Sequence, residues 1–335
     1  MSKFSLDVLN RCVYPLLKSD DPDVLLGAEF GEDVALTKVG GDILASHVDP
    51  IVGAVQDIGW LAVHVACNDI ATSGAPPRWI LPLVLVPSKD DEALVKVIMT
   101  DIARAAEEID VSVIGGHTGY SANLNRPLVA VTALGTLGGR QPILTRGAKV
   151  GDHILVTKGI ALEGTGILAS DFSRTAISLG LTESEIDQAR VLLNNVSVIP
   201  EALALAQHGA TSMHDVTRGG LLETLLEIAQ LSEVELEVHS ENVPIPEIVA
   251  RFADAFGFDP FKMISSGTLA ATVSPECADE VQRQLHDRKI PFSVIGKVVA
   301  GKGVKIIKED QVTHYVDIRP EEDELARMWQ EFRPD

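Results

Sequence analysis

Residues 57–73, DIGWLAVHVACNDIATS, are too long and too uniformly apolar to be a strand, and the run closes on Gly74 and Pro76-Pro77. This predicts a buried helix, ended by a left-handed glycine cap and by prolines that cannot continue it. The neighbouring segments must cover such a helix. Upstream, residues 5–17 repeat apolar residues at helical spacing, and GAEFGEDVAL leads into ILASHVD, an apolar run that stops at Asp49-Pro50. Downstream, WILPLVLV at 79–86 reads as a strand, followed by an amphipathic helix over about 91–109. A short buried strand VSVIGG at 111–116, a polar loop to Asn125 and the strand PLVAVTALGTL complete the order β, α, β, α, β, β. That order predicts a mixed sheet with two crossover helices on one face. The other face needs cover of its own, and the expectation is a homodimer formed through the sheet.

The stretch GRQPILTRGAKVGD, beginning at residue 139, is rich in Gly and turn residues and marks a domain boundary at about 150. The reading is an N-terminal domain over 1–150 and a larger C-terminal α/β domain over 151–335. The second half opens with the strand HILVTKG and the Gly-rich turn ALEGTGILAS. Helices follow over about 183–193 and 199–208, then a short MHDVT segment and the helix GGLLETLLEIAQ. VELEVH, GTLAATVS and FSVIGKVV read as strands separated by helices. The class is α+β, and a length of 335 residues suits two domains.

Charge narrows the partners. A formal net charge of −20, from 28 Lys and Arg against 48 Asp and Glu, repels a phosphate backbone and argues against nucleic acid. No apolar run approaches the roughly 18 residues of a membrane span, and MSKFSLDVLN has no basic stretch followed by an apolar core, so a cytoplasmic protein is expected. Cys12, Cys67 and Cys277 lack CxxC spacing and read as structural thiols.

Several residues stand out chemically. Asp69 sits in an otherwise apolar helix within two turns of its C-terminus, where the helix dipole disfavours an anion, so a compensating partner or cation is required. Asp33, in Phe30-Gly31-Glu32-Asp33, and Asp49 stand beside strand ends; ordinary turn chemistry accounts for either one alone. Gly115-Gly116-His117-Thr118-Gly119 follows a strand, where glycines let a ligand approach the backbone. A lone His in such a place is more often a surface residue than a ligand. His214-Asp215-Val216-Thr217-Arg218-Gly219-Gly220 precedes the helix LLETLLEIA, which presents an anion site at a helix N-terminus beside an arginine, or else an N-cap by Asp215 or Thr217. Neither GxxxxGK[ST] nor GxGxxG occurs.

Taken in order, FGEDVAL, HVDP, CNDIATSGAPPRW, GGHTG, GDHILVTKG, HDVTRGGL and SSGTL resemble the aminoimidazole ribonucleotide synthetase superfamily, with its PurM-like two-domain fold. The resemblance spans about residues 25–300 and is nearest to the HypE branch of hydrogenase maturation proteins. It implies ATP with Mg²⁺ ions that bridge the phosphates to N-terminal carboxylates, which makes Asp33, Asp49 and Asp69 the metal ligands. It implies nucleotide contacts from Asn68, Gly115, Gly116, Thr118, Lys158, Thr217, Gly219 and Gly220, and catalytic roles for His117, Asp215 and Arg218. The reaction implied is phosphoryl transfer to an amide-like or similar oxygen, on a small molecule or a partner protein.

Three departures qualify the resemblance. His117 stands where relatives carry Asp or Glu in GG[DE]T. Ser265-Ser266-Gly267-Thr268 occupies the place of an N-E-G-K segment, which removes a charged pair. Residues 331–335 are Glu-Phe-Arg-Pro-Asp and the last cysteine is Cys277, so dehydration of a thiocarbamate on the chain's own C-terminal cysteine is not expected. Cys12 lies in a helical stretch rather than a Gly-rich loop, which counts against the selenophosphate synthetase branch. The alternative to an enzyme is a nucleotide-binding homologue with a structural or regulatory role.

Overall fold

The computed structural model describes residues 4, 6–17, 19–52, 57–318 and 323–335. The chain divides into two compact units between Pro142 and Ile143, and the short segment Phe30–Glu32 belongs to the second. A helix α1 (Leu6–Cys12) precedes the first sheet.

The first unit contains β1 (Val24–Leu26), β2 (Ala35–Val39), β3 (Asp42–Val52), α2 (Ile58–Thr72), β4 (Pro77–Val86), α3 (Glu92–Glu108), β5 (Ser112–Val113), β6 (His117–Tyr120) and β7 (Leu128–Thr136). The sheet runs β1-β2-β3-β7-β4-β5, with β6 also paired to β4. Helix α2 is buried at every position except Trp60 and packs on β3 and β7, with α3 against it. The two helices approach closely at Gly59, where a Cβ would lie 2.4 Å from the Ile98 carbonyl oxygen. Gly74 is left-handed at φ 80°, as its place after α2 predicts.

The strand expected over 111–116 is instead two short exposed ones. β5 pairs with Trp79 and Ile80, and β6 resumes the ladder at Leu83. The break falls at Pro82, which has no N–H to donate. There Gly116, at φ 136°, brings its backbone against the Pro82 carbonyl, where a Cβ would stand 2.2 Å away.

Alternation divides the sheet's faces. Ile80, Val84, Val129, Val131 and Ala133 are fully buried on the helix side. On the other side Leu44, Leu81, Leu83, Leu85, Leu128 and Leu134 are half-buried, and Val48 is 58% exposed.

The second unit contains β8 (His153–Thr157), α4 (Leu162–Asp171), α5 (Ser173–Ser178), α6 (Glu183–Arg190), α7 (Ile199–His208), β9 (Ala210–Asp215), α8 (Gly220–Ser232), β10 (Glu235–His239), α9 (Glu247–Phe256), β11 (Leu269–Val273), α10 (Ala278–Asp287), β12 (Phe292–Val299), β13 (Gly303–Lys308), β14 (Gln311–Tyr315) and α11 (Glu324–Glu331). Its sheet order is β14-β13-β10-β12-β8-β11-β9, antiparallel except for the β10–β13 pair. One core lies under α8, around Leu221, Leu225, Leu236 and Val304. A second joins α4, α6, α9 and α11 through Phe172, Phe252, Phe256 and Met328. Among the described residues no single helix is long and apolar enough to cross a membrane.

Candidate functional site

The first unit gathers its acids on the helix side of the sheet. His47 and Asp49 stand opposite the buried Ala133 and Val131 on β7, so both face α2. Asp69 is 6% exposed, and its Oδ2 lies 3.4 Å from His47 Nε2. The partner that the helix dipole demanded is therefore an imidazole, at least in part. Thr72, one turn on, donates its hydroxyl both to the Asp69 carbonyl at 2.7 Å and to Asp33 Oδ2 at 3.0 Å. Asp33, Asp69 and His47 thus form one hydrogen-bonded and ion-paired group, with Asp49 on the same face of β3 as His47 and the buried Asn68 next to Asp69 on α2. Carboxylate oxygens held on a strand, a helix and an adjoining loop suit a hard cation such as Mg²⁺, which takes one or two carboxylates and completes its shell with water and phosphate.

His117 is placed elsewhere. Its register with Leu83 puts it on the opposite face of the sheet from these acids, and Gly115, Gly116 and Thr118 are exposed beside it.

In the second unit three segments converge at one end of β8, β11 and β9: residues 158–164, 264–268 and 215–220. The β8-to-α4 turn holds two non-glycine residues in the left-handed region, Lys158 at φ 58° and Ala161 at φ 60°, an arrangement that surrounding structure must enforce. Leu162 N–H donates to Ser265 Oγ at 3.0 Å, and Gly164 N–H to the Ile264 carbonyl at 3.0 Å. The Lys158 ammonium sits 2.6 Å from Glu201 Oε1 and donates to the carbonyls of Ser197 at 2.5 Å and Gly267 at 2.9 Å. As found, Lys158 clamps the turn.

Asp215 ends β9 opposite Leu269. It is fully buried, and neither carboxylate oxygen has a hydrogen bond among the described residues. His214 Nδ1 is 3.7 Å from Oδ1, beyond hydrogen-bond range, while His214 Nε2 lies 2.8 Å from Glu227. A buried carboxylate without a hydrogen bond is costly, and such groups mark functional sites.

The N-cap of α8 is Gly219, with no side-chain cap, so Asp215 and Thr217 do not play that structural part. The glycine pair permits close packing. A Cβ on Gly220 would stand 2.5 Å from the Phe261 carbonyl oxygen, and one on Gly219 would strike the Glu223 carboxylate. The first-turn amide of Leu222 donates to that Phe261 carbonyl at 2.9 Å, and Gly220 N–H reaches the Thr217 carbonyl at 3.2 Å. Arg218 pairs with Asp323 at 3.2 Å, and Asp323 caps α11. Beside Gly219 a cleft of about 210 Å³ opens, with Leu222, Glu223, Lys262 and Tyr315 on its walls.

Two residues of these groups escaped the reading of single positions. His47 carries a signal only once its strand's faces are known, since His-x-Asp is then one side of a ladder. Glu163, in the turn ALEGTGILAS, is 4% exposed with its carboxyl against Ser266. A charged residue within a Gly-rich apolar turn is the cue that marks it.

Family models match both parts of the chain: "AIR synthase related protein, N-terminal domain" at residues 31–137 and "AIR synthase related protein, C-terminal domain" at 149–309. Carbamoyl dehydratase HypE of Bradyrhizobium diazoefficiens is 29% identical over 257 residues, covering 76% of this chain and 72% of the relative. The selenide, water dikinase of Clostridioides difficile is 26% identical, covering 91% of this chain and 94% of the relative. A crystal structure of the hydrogenase maturation protein HypE in complex with ATP superposes with a TM-score of 0.71 at 24% identity, over 90% of this chain and 92% of that one. Two matched domains in the order that the seven motifs imply, together with the PurM-like fold, place the chain in the AIR synthase related family.

Proposed function

We propose that the protein is a HypE-like, Mg²⁺-dependent enzyme that uses ATP to phosphorylate, and so activate, an oxygen of a small-molecule or partner-protein acceptor. Asp33 and Asp69, joined through Thr72 and flanked by His47, with Asp49 on the same sheet face, carry this reading. Relatives named for different activities align over most of this chain, and a relative's structure was solved with ATP.

Asp33, Asp49 and Asp69 would hold Mg²⁺, and His47 orients the Asp69 carboxylate from the neighbouring strand. Mg²⁺·ATP supplies the γ-phosphoryl group with its charge partly neutralised. In the second unit Arg218 offers planar donors to an anion if it leaves Asp323, and Asp215, desolvated and without a hydrogen bond among the described residues, is suited to accept a proton. Phosphorylation makes the acceptor oxygen a leaving group.

The test is conversion of ATP followed by phosphorus NMR, first with Mg²⁺ and then with excess EDTA, across a panel of amide and carbamate acceptors. ADP and a new phosphorus signal that vanish with EDTA are expected. Tight ATP binding without conversion would instead favour a non-catalytic nucleotide-binding protein, a reading that His117's position across the sheet and the uncharged Ser266 support.

The same proposal includes a homodimer. A sheet face lined by Leu81, Leu83, Leu85, Leu128 and Leu134 is far more apolar than a solvated face, and a second copy offers an equally apolar surface.

A further inference from the structure

Three histidines fall in the first unit, and His47 is the one that faces Asp69. His64 is turned to Glu108 at 3.3 Å, and His117 lies on the other face of the sheet. On β3, His47 precedes Asp49 by two residues, so both side chains leave the strand on the side of α2. The Asp69 carboxylate is 9% exposed and the His47 ring 26%, and Nε2 lies 3.4 Å from Oδ2.

That separation is informative. A charge-assisted N–H···O bond closes to about 2.7–2.9 Å, whereas this pair, set on a strand and a helix, stays open. Two donors about 2.0–2.2 Å from one shared ion stand roughly 2.8–3.6 Å apart at octahedral or tetrahedral angles. The observed spacing falls inside that range. Donor chemistry then separates the ions. Mg²⁺ takes oxygen ligands and keeps several waters, so an imidazole nitrogen adds little to its affinity. Imidazole is a good ligand for divalent transition metals, and a mixed set of nitrogen and carboxylate oxygens favours them.

We infer that His47 is a metal ligand as well as the residue that orients Asp69: with Asp49 and Asp69 it offers one nitrogen beside carboxylate oxygens, and the site takes a divalent transition metal in preference to Mg²⁺. This rests on the reading of those carboxylates as a metal site and narrows which ion they select. Mg²⁺ still binds through the oxygens. All three residues belong to the first unit, and the metal alone, without nucleotide, is enough to test them.

Mn²⁺ is the probe, added to the full chain at neutral pH after chelator treatment. Wild type should bind it roughly tenfold or more tightly than Mg²⁺, read from the EPR signal of the free ion and from Mg²⁺ competition. Pulsed EPR of the bound ion should show a directly coordinated imidazole nitrogen, whose coupling changes when the histidines carry the heavier nitrogen isotope. In H47Q that coupling disappears and Mn²⁺ affinity falls about tenfold, while Mg²⁺ affinity moves by less than about threefold. Nitrogen coupling that is absent from wild type, or that survives in H47Q, overturns the inference, as do equal losses for the two ions. Bound Mn²⁺ in any of these cases leaves the carboxylate metal site standing. No binding of either ion to the wild-type protein overturns the inference and that site together. If H47Q does not fold, H47N takes its place under the same criteria, and missing coupling in wild type still decides against His47.

Discussion

Asp69 occupies a place that a carboxylate avoids, buried near the negative end of an apolar helix, and His47 answers it from the neighbouring strand at 3.4 Å. A second histidine of the same unit behaves differently. His64 on α2 is 3% exposed, with Nε2 3.3 Å from Glu108 Oε2, and the Trp60 ring lies tilted against its own at 49°, centroids 4.1 Å apart. Burial lowers its pKa from 6.5, with Glu108 opposing that shift and Arg104 reinforcing it. Because the folded-state value is depressed, the unfolded chain binds the proton more readily. The contribution to stability is present above about pH 6.5 and is lost as pH falls through the lowered value. Thermal melts of wild type and H64Q should therefore diverge between about pH 7 and pH 5, with the wild type losing more; equal losses would contradict this. At this scale the sequence makes Asp69 legible, since an acid in an apolar helix is conspicuous by itself. His47 and Glu163 are not, because their meaning depends on which face of a strand or turn they occupy.

The helices and long strands follow their patterns because apolar periodicity and punctuation agree: α2 ends at Thr72, just before the left-handed Gly74, and α3 carries its N-cap on Asp91. Two places depart. The strand anticipated over 111–116 is divided at Pro82 and Gly116, since a proline in the partner strand removes a ladder donor and pattern alone does not reveal which strand is the partner. The glycines before α8, which read as an anion cradle, also have a packing reason. Gly220 combines φ 65° with the Phe261 carbonyl 2.5 Å from where a Cβ would be, whereas Gly40 has φ 62° and open space. Gly40→Ala should cost about 1 kcal/mol and Gly220→Ala roughly 2–4 kcal/mol, read from urea midpoints. Equal costs would remove the packing argument.

At the scale of the molecule, the apolar strand face without helices is the feature that composition hides, since 46% hydrophobic residues is unremarkable until half-buried leucines line one side of a sheet. Light scattering at micromolar concentration should give the mass of two chains, and Leu83→Glu, which puts a charge on that face, should give one; a monomeric wild-type protein would contradict the dimer. The domain order and the α+β class were readable because each strand and helix pattern is long. The contribution of each acid was not, since none of Asp33, Asp49 or Asp69 is distinctive apart from the others. Their joint role is the central claim, and calorimetric titration of ATP with Mg²⁺ into wild type and Asp69→Asn tests it most directly. Asparagine keeps the size and removes the charge, and the expected result is a loss of Mg²⁺-dependent affinity of about tenfold or more, at least ~1.4 kcal/mol. Unchanged Mg²⁺·ATP affinity in the variant would contradict the assignment.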